Sequence, residues 1–179
     1  MEPESHNLDR IVNTDLPPCA QRPLLDQLAA LIARLDPTDY RHLCLRLGGG
    51  SPGGHVRHCI EFYQCFLDGF EGGRIDYDGR RRDPALENDP DAARAALSEI
   101  ATRLARDTAR MPADFPLHVR ECGTTWLPST HARESRFLHS HTVHHMALVA
   151  VLLRARDLPV PADFGVAPAT LQHRANCRT

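Results

Sequence analysis

The sequence predicts an all-α protein built as a four-helix bundle, and three observations carry that expectation. Four segments hold apolar residues at three- and four-residue spacing, cap residues and breakers delimit them, and two long connections separate them. At 179 residues the chain is long enough for one domain with a real core and short for two. The expected division is an N-terminal arm over 1–21, a single bundle domain over 22–171 and a C-terminal tail over 172–179.

The first helix is predicted over Pro23 to Leu35, where Leu24, Leu28, Leu31, Ile32 and Leu35 keep helical spacing and Pro23 fits the first turn. A short helical turn follows in "PTDYRHL", then the breaker "GGGSPGG". The second helix starts there, with Ser51 as N-cap and Pro52 at the first position, and runs to about Glu71 before Gly72-Gly73. Residues 74–88 read as a long polar connector. Asp89-Pro90 is a second cap and first-turn pair, opening a third helix over roughly Asp91 to Arg110 with Ala93, Leu97, Ile100 and Leu104 on one side. In the next connection Leu117-His118-Val119 reads as a short strand or strap. The fourth helix begins near Ser129 or Thr130 and runs to about Arg156, and the Pro-rich tail reads as irregular, wrapping the bundle. Connections this long favour a bundle that is not simply up-down-up-down.

A net charge of -2 gives no general pull toward nucleic acid or anionic membrane, so neither is expected as a partner. No secretory pattern opens the chain and no run of about 18 apolar residues occurs, which makes a cytoplasmic location the expectation. Six cysteines lie scattered without a CxxC pair and read as reduced thiols, mostly small buried hydrophobes.

The chemistry concentrates in "FLHSHTVHH", which holds four of the eleven histidines. Leu138, His141, His145, Leu148 and Leu152 share one helical face, so two histidines interrupt the apolar stripe. At i, i+4 their β-carbons lie about 5–6 Å apart, near enough for both rings to reach one divalent ion at about 2.0–2.1 Å. The second helix offers His58 or His55 on its aromatic face as a third ligand. Three imidazoles leave a coordination position for water or substrate. The spacing is not that of a zincin protease, because Thr142-Val143-His144 separates the pair and no glutamate stands inside the motif. Glu61 and Glu134 are the candidates for carboxylates that orient imidazoles. His144 is a candidate cavity liner and His139 falls toward solvent. Ligation requires neutral imidazoles, so metal affinity is expected to fall as the pH drops through about 6.

These segments resemble the DinB-like superfamily, which includes the YfiT-like metal-dependent hydrolases and the bacillithiol- and mycothiol-linked transferases. The resemblance rests on "SPGGHVRHCIEFYQCFLDG", "IDYDGRRRDPALENDP", "SRFLHSHTVHHMALVAVLLR" and "PADFGVAPATL", together spanning most of residues 50–171. It implies an up-down-down-up bundle, a homodimer, and a tri-histidine site of zinc, nickel or iron formed by His141, His145 and His58, with His55 the fallback. It also implies a small-molecule substrate and a low-molecular-weight thiol as co-reactant.

Arg80-Arg81-Arg82 offers an anion clamp for a carboxylate or phosphate, against the plainer reading of a solvated loop braced by acidic neighbours. Trp126 reads as packing the strap against the bundle, against the alternative of a cavity wall. "DFGVAP" lacks the other kinase motifs and "GGGSPGG" lacks a P-loop lysine, so neither is read as a nucleotide site. The expected function is metal-dependent hydrolysis or thiol S-transfer, the alternative a non-enzymatic metal-binding or stress-response protein with a structural metal.

Overall fold

The computed structural model describes residues 21–107 and 111–177. Its four long helices are α1 (Gln21–Ile32), α3 (Pro52–Phe70), α5 (Pro90–Asp107) and α6 (His131–Arg154), joined by the short helices α2 (Pro37–Arg41) and α4 (Pro84–Asn88) and followed by α7 (Pro168–Asn176). The termini of the long helices follow the expected local chemistry. Ser51 accepts a hydrogen bond from Gly54 N at 3.0 Å with Pro52 beside it, and the Asp89 carboxylate accepts from Asp91 N and Ala92 N. Thr130 Oγ1 accepts from Arg133 N to start α6. The N-terminal arm before Gln21, Cys19 and the last turn expected of the third helix lie outside the described residues.

α1 packs on α5 and α6, and α3 packs on α5 and α6. Their facing stripes supply the core: Leu25, Leu28 and Ile32 from α1, Ile60, Tyr63, Phe66 and Phe70 from α3, Leu97 and Ile100 from α5, and Leu138, Met146, Val149 and Leu153 from α6. Each such side chain contributes about 1.5–3 kcal/mol of burial free energy. α1 begins earlier than expected, and Gln21, assigned to the arm, is buried with its amide donating to Ser135 O at 3.0 Å.

The fold is mostly helical but not all-α. Three strands, β1 (Arg74–Asp76), β2 (Pro116–Arg120) and β3 (Leu127–Thr130), form a sheet of order β1-β2-β3. β2 runs parallel to β1 with Ile75 opposite Val119, and antiparallel to β3 with Leu117 opposite Ser129. The polar connector at 74–88 therefore contains a strand and the helix α4. Ile75, Leu117 and Val119 are buried while Arg74, His118 and Pro116 are exposed, the alternation of a sheet with one face on the core. The sheet seats against the end of α3: a Cβ on Gly69 would lie 2.2 Å from Arg74 O, so only glycine permits this approach. On the outer face Arg74 and Arg120 both lie over the ring of Trp126, at 5.5 and 5.2 Å, so this residue packs against the arginines of the sheet rather than packing the strap against the bundle as expected.

The tail is not wholly irregular, since α7 crosses the expected boundary at 171/172 and exposes most of its surface. Ahead of it, "DFG" docks on α6. Phe164 is buried, and Gly165 adopts φ +70° where a Cβ would lie 2.5 Å from Ala147 N. Cys59 is buried, Cys44 and Cys65 half-buried, and Cys122 and Cys177 exposed; all five are free thiols, so burial accounts for fewer of them than expected. Among the described residues no helix is long and apolar enough to cross a membrane.

Candidate metal centre

Two elements position the histidines. The N-terminus of α3 is pinned where Gly53 meets α4, since a Cβ there would stand 2.1 Å from Glu87 O and 2.8 Å from the Tyr40 ring. Tyr40 itself donates from its hydroxyl to Leu86 O at 2.6 Å. This anchoring presents the first turns of α3, with His55 and His58, to the middle of α6. On α6 the i, i+4 spacing puts His141 and His145 on the side facing α3.

There the rings of His58, His141 and His145 meet. Centroids are 4.9 Å apart for His58–His141, 4.5 Å for His58–His145 and 4.6 Å for His141–His145. One ring nitrogen from each lies within 4.8 Å of the others, and this trio is a group that could hold a metal ion. All three residues are half-buried. His141 Nε2 is shielded from solvent and has no hydrogen-bond partner in the protein, a state it shares with His131 Nε2. The set fits a divalent ion of borderline softness: three neutral nitrogens, with no thiolate among them. Cys59, beside His58, is fully buried and its thiol is pushed up to about 12, so it stays protonated.

Electrostatics keep the imidazoles neutral. Burial is the main cause in each case, and neighbouring positive charge adds to it. His58 is lowered to about 4, with His141, Arg80, His55 and Arg57 contributing. His141 is lowered to about 4, with His144 and Arg80 contributing, and His145 to about 3, with His141, His58, His55 and His144 contributing. His55 is lowered too, by burial and by His144. The lone pairs are thus available well below pH 6, which moves the expected loss of metal affinity from about 6 to about 4.

The other singled-out residues divide. His55 approaches His145 with Nδ1 to Nδ1 at 3.0 Å but stands outside the trio. Glu61 does not orient an imidazole: its Oε1 accepts from Asp83 N at 2.9 Å and its Oε2 faces Arg80 Nε at 3.7 Å, with Arg57 also 3.7 Å from the carboxylate. Its position on α3 turns the carboxylate toward the Arg80 loop. Glu134 is likewise spent elsewhere, accepting from the Tyr77 hydroxyl, the Ser129 hydroxyl and Arg133. Of the arginine triplet only Arg80 turns inward, donating to Tyr77 O at 2.8 Å with its guanidinium 5.0 Å from the Phe62 ring centroid. Arg81 and Arg82 are exposed. His144 is exposed rather than lining a cavity, edge-on to His145 at 5.1 Å, because it lies on the outward side of α6. His139, expected in solvent, is half-buried.

Phe62, part of the aromatic face of α3, is buried in the core and also touches the trio. It stacks on His141 at 4.3 Å and 26°, contacts His58 at 4.6 Å, and stacks on Tyr77 at 5.0 Å. It walls the trio with an apolar surface and fixes two of its rings. Its i+4 spacing from His58 was the available signal. His131, which sequence reasoning left aside, is buried at the start of α6 among Phe66 and Phe70 with Nδ1 3.3 Å from Pro112 O.

No family model matches the chain, and no solved structure matches it. Among curated proteins it is similar to FK506-binding protein 5 of Rhizopus delemar, 30% identical over 105 residues. The match covers 55% of this chain and 27% of that protein, so the chain spans about a quarter of the length of the curated relative it matches.

Proposed function

We propose that this chain is a metal-dependent enzyme of the DinB-like superfamily, a four-helix bundle in which His58, His141 and His145 hold one divalent ion. The observation that supports this is the meeting of three imidazoles from two helices, with one ring nitrogen of each within 4.8 Å of the others. An unpartnered nitrogen such as His141 Nε2 costs about 1–3 kcal/mol and also occurs singly at His131, so the grouping of three imidazoles, rather than that atom alone, supports the metal.

The chemistry proposed is hydrolysis or thiol S-transfer on a small molecule. A divalent ion with three neutral ligands supplies a Lewis acid that lowers the pKa of a water or thiol bound to it. The protein's own part is to hold the three lone pairs together, exclude solvent on one side with Phe62, and place the positive charge of Arg80 nearby for an anionic group. The metal is zinc, nickel or iron, the co-reactant in the transfer case a low-molecular-weight thiol, and the working form a homodimer.

Elemental analysis of protein purified without an affinity tag tests the site, and about one ion per chain is expected. Absence of metal, with no uptake of zinc, nickel or iron on titration, overturns it. A screen of the metal-loaded protein for hydrolysis and for transfer of small thiols tests the chemistry. A bound ion with no position accessible to water or thiol would instead favour a structural metal in a non-enzymatic protein.

A further inference from the structure

The two histidines of "HVRH" both reach toward α6, but the structure gives them different neighbours. His58 joins the trio. His55, one turn earlier, lies behind His145, with the two Nδ1 atoms 3.0 Å apart and the ring centroids 5.2 Å apart. Two nitrogens at that distance form a hydrogen bond only if one of them carries a proton and the other does not.

A neutral imidazole has one N–H, so the direction of this bond decides the chemistry of His145. If His55 donates, His145 carries its proton on Nε2 and has no lone pair left outside the bond. If His145 donates from Nδ1, its Nε2 lone pair is free to ligate. We propose that His55 is a positioning residue: it accepts the Nδ1 proton of His145, fixing that ring's orientation and reserving Nε2 for the metal.

This inference rests on the metal reading above and adds to it the residue that prepares one ligand. A histidine ligand whose second nitrogen is held by a neighbour is the general arrangement at metal sites, although the holder is usually a carboxylate or carbonyl. Here Glu61 and Glu134 are engaged elsewhere, and an imidazole takes that place. The loop before α3 closes on the far side of His55. Gly50 pairs with Cys44, and a Cβ on Gly50 would lie 3.0 Å from His55 Nε2, so the backbone comes close to the nitrogen that carries His55's own proton.

The test begins with the metal-free wild-type protein, where long-range nitrogen–proton spectra of labelled histidine report the tautomers. His145 protonated on Nδ1 and His55 on Nε2 is the expected result; His145 protonated on Nε2 overturns the proposal. In the second step zinc affinity is measured by chelator competition. His55→Ala is expected to weaken zinc about 10–100-fold at unchanged stoichiometry, with much of the loss recovered in His55→Gln, whose amide oxygen can accept the same proton. Unchanged affinity in His55→Ala overturns the proposal. So does a changed coordination number in the cobalt(II) absorption spectrum of that variant, which would make His55 a fourth ligand. If the wild-type protein takes up no metal, the metal reading fails by itself, while the tautomer spectrum still decides the His55–His145 bond.

Discussion

The first turn and the middle of one helix treat two buried polar groups in opposite ways. In the first turn of α6 the Glu134 carboxylate is wholly buried and fully engaged: Oε2 accepts from the Tyr77 hydroxyl at 2.9 Å, and Oε1 accepts from Ser129 and from Arg133 at 2.7 Å. Two turns later His141 is half-buried, and its Nε2 has no partner in the protein. Phe62 touches both regions, stacking on Tyr77 on one side and on His141 on the other. Glu134, with its partners supplied, locks packing; what sets His141 apart is the gathering of three ring nitrogens from two helices, since an unpartnered nitrogen also occurs singly at His131 in the first turn.

Exchanging the two roles is the strongest way to break this comparison. His141→Ala should abolish tight metal binding, a loss of roughly 3–5 kcal/mol or about a thousandfold if three ligands share a typical binding energy, with little loss of metal-free stability. Chelator competition and urea denaturation of the same variant read the two quantities. An unchanged affinity would remove His141 from the ligand set. Glu134→Ala should do the reverse, costing about 1–3 kcal/mol of stability by leaving the buried Tyr77 hydroxyl without its acceptor, while metal stoichiometry stays as in the wild type. If Glu134→Ala lost the metal instead, its carboxylate would belong to the site.

Acid separates the regions by a smaller effect. The folded pKa values of His58, His141 and His145 are lowered to about 4, 4 and 3 from an ordinary 6.5. Below 6.5 the unfolded chain therefore binds more protons than the folded one, and the contribution of these residues to metal-free stability is lost as the pH falls from about 6.5 through about 4 for His58 and His141 and about 3 for His145. Urea midpoints measured across that range should drop, and metal binding to the folded protein should persist at pH 5 and fail near 4. Affinity that collapsed at pH 6 would show that the rings are not desolvated as the structure has them. Smallest of all, Arg80→Gln should raise the pKa of His58 and His141 without loss of fold, read by proton spectra of the imidazoles, because its charge is one of the causes that lower both.

Much of this organisation was legible beforehand, and particular residues show why. Ser51-Pro52, Asp89-Pro90 and Thr130 marked helix starts because capping is a contact between residues two or three apart. Leu97, Ile100 and Leu104 marked a buried face because 3.6 residues make a turn. Leu117-His118-Val119 lies in β2 as expected, but β1 was hidden: it is three residues long and pairs in parallel with a segment more than forty residues away, so it offers no period and no hairpin turn. Glu61 and Glu134 were read as partners of imidazoles from their distance along a helix, but the direction of a carboxylate depends on what packs across from it. Asp83 and Tyr77 come from a connector whose path no local pattern sets.

The sequence by itself determined that His141 and His145 share a helix face, since i, i+4 geometry is local and nearly invariant. Only the tertiary structure decided that His58 joins them while His55 stands behind His145, and that Arg80 turns inward while Arg81 and Arg82 do not. Those choices depend on how α3 crosses α6, which is set by packing at distant points such as Gly53 against α4 and Gly69 against β1. His55 and His58 are three residues apart, a displacement of about 4.5 Å along α3 and larger than a metal–nitrogen bond, so the seating of one helix on another decides which of them meets His141 and His145.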